Sequence, residues 1–336
     1  MGTEIKFGNL EKGRRNLITD VPGVKVGHLT LIEGEVQTGA TALIPGEGST
    51  FRNKFPAAVH VINGFGKSAG LLQVQELGNI ETPIVLTNTL SVAAGLDGLI
   101  TYMLKDHSDI GTTTGTVNPV VMECNDSYLN DIRGRHVKPE HVLAALENAS
   151  EDFEEGAVGA GRGMKCYGWK GGIGSASRLF SIGEKEYTIG CLILTNFGRK
   201  EQFIINGRKA GDIPCDPCDF ERDSGSCIMI LATDLPLTSR QLLRCTHRAQ
   251  NGLARTGAQT GGGSGEIVLM FSTQNRIPHA SVVPIGVVQM IHEDLLDPVF
   301  TAVADCVEES LVSSVFHSET VTGRDGHILQ GFCSKT

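Results

Sequence analysis

Short apolar runs with little or no charge recur along this sequence and constrain its fold more than any other feature. Each is shorter than an ordinary helix, and the clearest span residues 24–31, 57–62, 83–87, 187–196, 227–234 and 267–271. Several keep apolar side chains at successive positions, which is typical of strands buried on both faces. The sequence therefore predicts sheets that are covered on both sides.

Helical patterns lie between and after these strands. Pro139 opens one predicted helix, and Thr238 forms a capping box with Gln241 at the start of a second, which is expected to run to about Arg255. A third is expected to start at Asp297 and Pro298 and carries an apolar stripe. Strands and helices mixed through the whole length, with no linker, predict one layered α/β domain spanning 1–336.

Composition limits the partners that the chain can bind. The formal charge of -9, from 29 basic and 38 acidic residues, argues against a nucleic-acid partner. No segment approaches the roughly 20 apolar residues of a membrane helix, and residues 1–20 lack the apolar centre of a signal peptide. Nine cysteines, an odd number, fit reduced thiols better than disulfides. We therefore expect a cytoplasmic protein that binds neither nucleic acid nor membrane.

Two local patterns resemble known sites but lack essential parts of them. Cys215 and Cys218 have the spacing of metal ligands or a redox pair, yet no second Cys or His pair follows at a zinc-finger distance. Gly66-Lys67-Ser68 resembles the end of a phosphate-binding loop, but Val61 stands where that loop requires glycine. We expect no metal site, nucleotide site or organic cofactor.

The dipeptide Gly225-Ser226 joins a polar stretch rich in turn-forming residues, 206–224, to the apolar strand predicted at 227–234. If the Ser226 hydroxyl attacks the Gly225 carbonyl, the chain divides there and Ser226 gains a free α-amine. An α-amine has a pKa of roughly 8, so its neutral fraction can act as the base for its own hydroxyl, as in N-terminal-nucleophile hydrolases. Gly-Ser before a strand is also common loop chemistry, so the dipeptide alone leaves both interpretations open.

Three further residues have side chains suited to the same reaction. Asn196 ends the predicted strand 187–196, and its amide N–H is a donor for an oxyanion. Ser264 and Glu266 follow a glycine-rich loop two residues apart, on one side of a strand, so they are expected to share a hydrogen-bond network around the Ser226 amine. Taken alone, each of the three can also be interpreted as an ordinary residue of a turn, with no catalytic role.

A carboxylate and an aromatic residue follow another apolar stretch. Glu123 comes directly after residues 118–122, and Tyr128 lies nearby in the sequence. An anion such as Glu123 is what the free amino terminus of a substrate requires.

The order of the motifs resembles the DmpA family, the L-aminopeptidase/D-amino-acid esterase-amidases and their relatives the β-peptidyl aminopeptidases. The resemblance covers nearly the whole chain, in ITDVPGVKVGH (18–28), GATA (39–42), GWKGGIGSASR (168–178), ATD (232–234) and GLARTG (252–257). It implies self-cleavage between Gly225 and Ser226 into chains 1–225 and 226–336. The residues that it implies are Ser226 as nucleophile, Asn196 at the oxyanion, Ser264 and Glu266 in support, Glu123 for the substrate amine, and Tyr128 as a second pocket residue.

The resemblance also implies a four-layer αββα sandwich like that of the N-terminal-nucleophile hydrolases, with different strand connectivity. It implies a homo-oligomer, often a tetramer of cleaved chain pairs. One departure lies in the glycine segment 161–163, where relatives tend to carry a small hydroxyl residue and this chain has Arg162. That cation is expected to reshape either the substrate cleft or a subunit contact.

The sequence thus predicts a self-processing serine aminopeptidase or amidase that acts on short peptides, amino-acid amides or esters. Two alternatives keep the fold. One is a related amide hydrolase of the nylon-oligomer type or an acyltransferase, enzymes that commonly carry threonine where this chain has Ser226. The other is an inactive assembly or binding protein, against which the joint presence of Asn196, Ser226, Ser264 and Glu266 argues.

Overall fold

The structure is a computed structural model that describes residues 5–210, 224–281 and 283–332. Its strands are β1 (Lys25–Glu33), β2 (Val36–Ile44), β3 (Asn53–Gly64), β4 (Asn79–Ile80), β5 (Ile84–Asn88), β6 (Val120–Cys124), β7 (Lys165–Cys166), β8 (Trp169–Lys170), β9 (Ile173–Ile182), β10 (Lys185–Asn196), β11 (Ile204–Ile205), β12 (Arg208–Lys209), β13 (Ser224–Thr233), β14 (Gly263–Ser272), β15 (Ile277–Pro278), β16 (Val321–Thr322) and β17 (Ile328–Leu329). Its α-helices are α1 (Leu71–Leu77), α2 (Val92–Asp106), α3 (Pro139–Glu147), α4 (Ser239–Thr246), α5 (Ala249–Arg255) and α6 (Asp297–Phe316).

Two sheets form the centre of the molecule. One has the order β1-β2-β5-β6, and the other has the order β15-β3-β14-β13-β10-β9, with β4 paired to β3. Apolar side chains from both fill the space between them, including Leu43, Met122, Leu194, Ile230 and Leu269. Full burial of such a side chain contributes about 1.5–3 kcal/mol, so this inner core holds the two sheets face to face.

Helices cover the outer face of each sheet. Leu99 of α2 and Val142 of α3 pack against Val85 and Val121 of the smaller sheet. On the larger sheet, residues of β13 and β14 pack against α4, α5 and α6. The layers are therefore helix, sheet, sheet, helix, which confirms the predicted αββα class.

Glycine permits one of the closest contacts between these layers. A Cβ atom built on Gly174 of β9 would lie 1.9 Å from the Ser310 carbonyl oxygen of α6. Because that oxygen belongs to the backbone, any larger residue would force α6 away from the sheet.

The predicted strands are present, and one begins earlier than expected. β13 starts at Ser224, because Ser224, Gly225 and Ser226 already pair with β14, and Ser226 also pairs with Asn196 of β10. The predicted loop from 206 begins at the turn of a short hairpin of β11 and β12, in which Asn206 and Gly207 both have positive φ. Cys215 and Cys218 lie outside the described residues.

The prediction of one continuous helix from Thr238 to about Arg255 is wrong. It is two helices, α4 and α5, separated at His247 and Arg248. The Arg248 N–H bonds to the Cys245 carbonyl three residues back, at 2.9 Å. The Arg248 guanidinium donates to the carbonyl of Arg244 instead, at 3.2 Å. This tighter turn ends the α-helical ladder, although the predicted capping box at Thr238 is present.

Strand ends from both sheets meet at one edge of the sandwich. β5 and β6 are parallel, so Asn88 and Cys124 end side by side. In the larger sheet, the start of β13 lies between the end of β10 and the start of β14. β14 begins beside the end of β3. The topology therefore brings the ends of six strands to the same place.

Candidate active site

Ser226 occupies a fixed position between two strands. It pairs with Asn196 on one side and with Gly265 on the other, and it is buried. Its hydroxyl donates a hydrogen bond to the carbonyl oxygen of Gly225, at 2.6 Å. The hydroxyl thus lies next to the peptide group that the sequence singles out for cleavage.

Gly225 has no room for a side chain. A Cβ atom at this position would lie 1.9 Å from the backbone oxygen of Asn196. Contacts this short with backbone require the strands to move apart. The close approach of β13 to β10 at position 225 therefore requires glycine.

A cavity with a volume of about 190 Å³ opens beside Ser226. It is lined by Phe65, Lys67, Thr89, Glu123, Asn125, Ser127, Tyr128, Lys165, Asn196, Gly225, Ser226 and Gly263. Four of the residues that the sequence predicts for catalysis or substrate binding are in this lining: Glu123, Tyr128, Asn196 and Ser226.

The Asn196 side chain is held in one orientation by two hydrogen bonds. Its Oδ1 atom accepts from the backbone N–H of Lys165 at 3.1 Å, and its Nδ2 atom donates to the Asn125 carbonyl at 2.8 Å. An amide nitrogen carries two hydrogens. The amide therefore has a second N–H beyond the one bound by Asn125, at a position that lines the cavity next to Ser226.

Ser264 and Glu266 form the predicted pair but lie outside the cavity lining. The Ser264 hydroxyl donates to Glu266 Oε1, and both side chains are buried. In the parallel pairing, Ser264 lies opposite Gly225 and Glu266 lies opposite Cys227. The pair therefore flanks Ser226 in register.

Two elements hold the Glu123 carboxylate at the cavity wall. Its Oε1 atom accepts from the backbone N–H of Lys67 at 2.7 Å, and its Oε2 atom accepts from the Thr89 hydroxyl. Glu123 is buried at the end of β6, beside the end of β5. A carboxylate that is fixed in this way and faces a cavity suits the binding of an ammonium group.

A turn that follows β6 supplies three more lining residues. Asn125, Ser127 and Tyr128 lie on it, and the buried Asp126 anchors it. Asp126 accepts from Thr38 at 2.6 Å and from the Asn130 side chain at 3.0 Å. Burial raises the pKa of Asp126 to about 7, although these hydrogen bonds lower it in part. The anchor of the turn therefore titrates near neutral pH.

Tyr128 is stacked from the far side of this turn. Its ring lies parallel to that of His327, with centroids 4.5 Å apart, and His327 Nδ1 donates to the Tyr128 carbonyl at 2.8 Å. The C-terminal segment thus fixes the position of a cavity residue.

Neighbouring thiols are not suited to act as nucleophiles. Burial raises the pKa of Cys124 well above its usual range, and the carboxylates of Glu123 and Glu266 raise it further. Burial likewise raises the pKa of Cys227, directly after Ser226. Both thiols stay protonated at neutral pH, and a thiol reacts as its thiolate.

Sequence reasoning did not identify Lys67, Thr89 or Lys165 as site residues. Thr89 follows β5, which is parallel to β6, and residues that follow neighbouring parallel strands meet at one edge. That rule could have placed Thr89 beside Glu123. Lys165 lies in the two-residue strand β7, and Lys67 follows β3. Lys67 belongs to the segment Gly66-Lys67-Ser68, which was considered only as part of a phosphate-binding loop.

Arg162 is not in the cavity lining. Its Nε atom donates to Gln37 at 2.8 Å, and its Nη1 atom donates to Glu319 at 2.7 Å. The cation thus connects β2 to the segment after α6. Arg162 was expected to reshape either the substrate cleft or a subunit contact. These contacts do not place its side chain in the cleft.

Within residues 5–210, 224–281 and 283–332, no three His, Cys, Asp or Glu side chains gather as ligands of one metal ion. None of the helices in the described ranges is both long and apolar enough to cross a bilayer.

Comparison with known proteins gives matches along almost the whole chain. Peptidase family S58 matches residues 16–329. The β-peptidyl aminopeptidase BapA of Sphingosinicella microcystinivorans is 35% identical over 347 residues, which cover 95% of this chain and 85% of that protein.

Two solved structures share the fold over nearly their full length. The PH0078 protein from Pyrococcus horikoshii OT3 is 50% identical, with a TM-score of 0.93 and coverage of 98% of this chain and 94% of the other. The L-aminopeptidase D-Ala-esterase/amidase from Ochrobactrum anthropi is 34% identical, with a TM-score of 0.90 and coverage of 98% and 94%. That protein is described as a prototype of the serine aminopeptidases and a new variant of the N-terminal-nucleophile hydrolase fold.

These matches confirm the resemblance that the motifs indicate, and they agree with the αββα layers. The chain belongs to peptidase family S58 and is a hydrolase of the aminopeptidase type.

Proposed function

We propose that this aminopeptidase cleaves its own chain between Gly225 and Ser226 and then uses Ser226 as its N-terminal nucleophile. The observation that carries the proposal is the Ser226 hydroxyl, which lines the cavity and lies 2.6 Å from the Gly225 carbonyl oxygen. The products would be chains 1–225 and 226–336.

Self-cleavage requires three steps. Ser226 Oγ attacks the carbonyl carbon of Gly225, the C–N bond between the two residues breaks, and the nitrogen takes a proton and becomes an amine. Water then hydrolyses the resulting ester, which leaves a carboxylate on Gly225 and a free hydroxyl on Ser226.

Substrate cleavage uses the same groups. Glu123 binds the substrate's ammonium group, and Ser226 Oγ attacks the carbonyl of the first residue while the α-amine of Ser226 takes the proton. The second N–H of Asn196 Nδ2 donates to the oxyanion. The buried pair Ser264 and Glu266, in register around Ser226, supports the charge on the amine. Water then releases the acyl group from Ser226.

We propose short peptides, amino-acid amides and amino-acid esters as substrates. The relatives support this range, because one is named a β-peptidyl aminopeptidase and another an L-aminopeptidase and D-Ala-esterase/amidase. The cavity volume of about 190 Å³ also favours small substrates.

We further propose a cytoplasmic homo-oligomer, a tetramer of cleaved chain pairs. Exposed apolar residues between 283 and 290 support assembly, among them Ile285 and Val287, which are 84% and 94% exposed. The six cysteines in the described ranges are free thiols, as expected in a reducing compartment. Sedimentation of the purified protein would measure the number of chain pairs.

The function is tested by Ser226→Ala, with Ser181→Ala at an exposed position of β9 as the matched control. We expect Ser226→Ala to stay one full-length chain and to release no chromophore from aminoacyl p-nitroanilides. Ser181→Ala should be processed and active. An active Ser226→Ala protein would contradict the proposal.

A further inference from the structure

We propose that Lys170 is a positioning residue for the oxyanion: its buried ammonium group holds and polarises the peptide group between Met164 and Lys165, which orients the Asn196 amide. This inference rests on the proposed function and deepens it, because it names a residue that sets how strongly Asn196 donates. The proposed mechanism uses no residue of the motif GWKGGIGSASR (168–178), to which Lys170 belongs.

The Lys170 side chain is fully buried, and its Nζ atom donates to three backbone carbonyl oxygens. These oxygens belong to Gly161 at 2.8 Å, Met164 at 2.9 Å and Gly171 at 2.5 Å. An ammonium group carries three hydrogens, whereas a neutral amine has only two to donate. The three acceptors therefore fit the protonated side chain.

The surroundings of Lys170 act on its pKa in both directions. Burial lowers the pKa of Lys170 well below its usual range, and the Arg162 cation lowers it further. The carboxylates of Asp126 and Glu319 raise it. Hydrogen bonds to the charged form favour that form, so the three carbonyl oxygens compensate the buried cation.

One peptide group connects Lys170 to Asn196. Its carbonyl, on Met164, accepts from Lys170 Nζ, and its N–H, on Lys165, donates to Asn196 Oδ1 at 3.1 Å. Resonance delocalises electrons over the peptide group, so a cation at its oxygen makes its N–H a stronger donor. The Asn196 amide transmits the same effect from Oδ1 to Nδ2. The ammonium group therefore strengthens the donation from Asn196 to an oxyanion.

The position of this peptide group is also fixed. The Met164 carbonyl accepts a second hydrogen bond from the Gly171 N–H at 3.0 Å, and Lys165 pairs with Lys170 between β7 and β8. A Cβ atom on Gly171 would lie 2.8 Å from the Lys165 carbonyl carbon. Lys170 and the glycine after it thus hold the peptide group tightly, at hydrogen-bond distance from Asn196.

The test is a double-mutant cycle on alanyl p-nitroanilide with wild type, Lys170→Met, Asn196→Ala and the double variant. Each rate is divided by the amount of cleaved chain on a denaturing gel. We expect Lys170→Met to lower kcat about tenfold with little change in KM, because the polarised donor acts on the oxyanion alone. In the Asn196→Ala background the same substitution should change kcat less than about twofold, since the effect of Lys170 passes through Asn196.

Two further variants separate this effect from a loss of packing. Ser318→Ala removes the hydroxyl that donates to the Gly171 carbonyl at 2.8 Å, away from the peptide group at 164–165, and should keep the wild-type kcat. Lys170→Met leaves carbonyl oxygens without a donor, which costs stability. Lys170→Gln retains two N–H donors without the charge, so it should fold even where the methionine variant does not, and should lower kcat about threefold.

The outcomes distinguish this inference from the proposed function. A wild-type kcat in folded Lys170→Gln would overturn the role of Lys170 and leave the aminopeptidase proposal standing. Losses that multiply in the double variant, or an equal loss in Ser318→Ala, would show that Lys170 does not act through Asn196 and would also overturn it. An unchanged kcat in Asn196→Ala would instead count against the oxyanion donor of the proposed function itself.

Discussion

At the start of β13, Gly225 and Ser226 must fit the close pairing of the strands and also place a hydroxyl at the cavity. Ser226 must present a hydroxyl to the cavity while its backbone pairs with strands on both sides. Gly225 must allow the Asn196 carbonyl to approach to a distance that no Cβ atom permits. Both residues therefore follow from the geometry of the strand pairing as well as from the chemistry.

The first prediction concerns Gly225→Ala. Its Cβ atom would lie 1.9 Å from the Asn196 backbone oxygen, so β13 must shift relative to β10 and carry the Gly225–Ser226 peptide group away from the Asn196 amide. We expect self-cleavage to slow at least tenfold, measured as the fraction of uncut chain over time on a denaturing gel. Gly262→Ala is the control, because its Cβ atom would meet nothing within 4 Å. Equal cleavage rates in the two variants would refute this explanation.

The second prediction concerns Asn196→Ala. The substitution removes an amide that two hydrogen bonds orient at the cavity. We expect kcat to fall about 10²–10³-fold, equivalent to about 3–4 kcal/mol, while KM changes little, because the lost contact forms only with the oxyanion. Steady-state kinetics would measure both constants. Asn148→Ala changes an exposed amide and should leave them unaltered, and a loss below threefold in Asn196→Ala would exclude the oxyanion role.

The sequence predicted residues with distinctive side-chain chemistry and missed the residues that hydrogen-bond to them. The roles proposed for Ser226, Asn196 and Glu123 come from the chemistry of their side chains and from the motif order that resembles a known family. Lys67 reaches Glu123 through its backbone N–H, which every residue except proline also carries. A contact made by the backbone leaves no signature in the residue type.

Among the elements, the turn that follows β6 determines much of the cavity wall. Its anchor is a buried network in which the Asn88 side chain donates to Thr38 at 2.9 Å and Thr38 donates to Asp126 at 2.6 Å. Asp126 is also among the charges that act on the buried ammonium group of Lys170. Asp126 directly follows Asn125, whose carbonyl accepts a hydrogen bond from Asn196.

The third prediction follows from the pKa of Asp126, which burial raises to about 7 from an ordinary 3.8. Between these values the native state keeps a proton that the unfolded chain has lost. The free energy of unfolding therefore falls as pH rises through this window, by at most about 1.4 kcal/mol per pH unit. Asp126→Asn cannot titrate, so we expect its stability deficit relative to Asp126 to shrink from pH 4.5 to pH 7.5.

This measurement requires a single chain, so both proteins should also carry Ser226→Ala, which is expected to stay uncut. Urea denaturation at each pH gives the free energy of unfolding. Asp97→Asn, at an exposed position of α2, is the control substitution and is measured in the same way. A deficit for Asp126→Asn that is constant or grows with pH would show that the buried carboxyl does not titrate as proposed.

Local patterns located the elements but not all of their limits. The capping box predicted the start of α4, because a cap depends on residues three positions apart. The break at His247 and Arg248 depends on a guanidinium that takes the place of a backbone donor, which helical periodicity does not reveal. Likewise, β13 starts at Ser224 because strands distant in sequence pair with it.

For the whole molecule, the proposed cleavage divides the larger sheet between two chains. β14 and the part of β13 from Ser226 onward would belong to 226–336, whereas their neighbours β3 and β10 would belong to 1–225. Alternating strands and helices predicted layers, but the partner of each strand is set by contacts across the chain. The four-layer order was therefore predictable only through the resemblance to a family.

The fourth prediction is that the two cleaved chains stay together under native conditions. In the larger sheet, β14 of one chain pairs with β3 of the other, and β13 pairs with β10. The inner core also joins the two sheets. We expect one peak in gel filtration that contains both chains, and two chains only in denaturant. Separation of the fragments without denaturant would contradict the described pairing.

The most direct test is the intact mass of the active wild-type protein under denaturing conditions. We predict two masses that correspond to residues 1–225, allowing for removal of Met1, and to residues 226–336, with Ser226 as the new amino terminus. A single mass for the full 336 residues in fully active protein would contradict the claim that a released serine is the nucleophile.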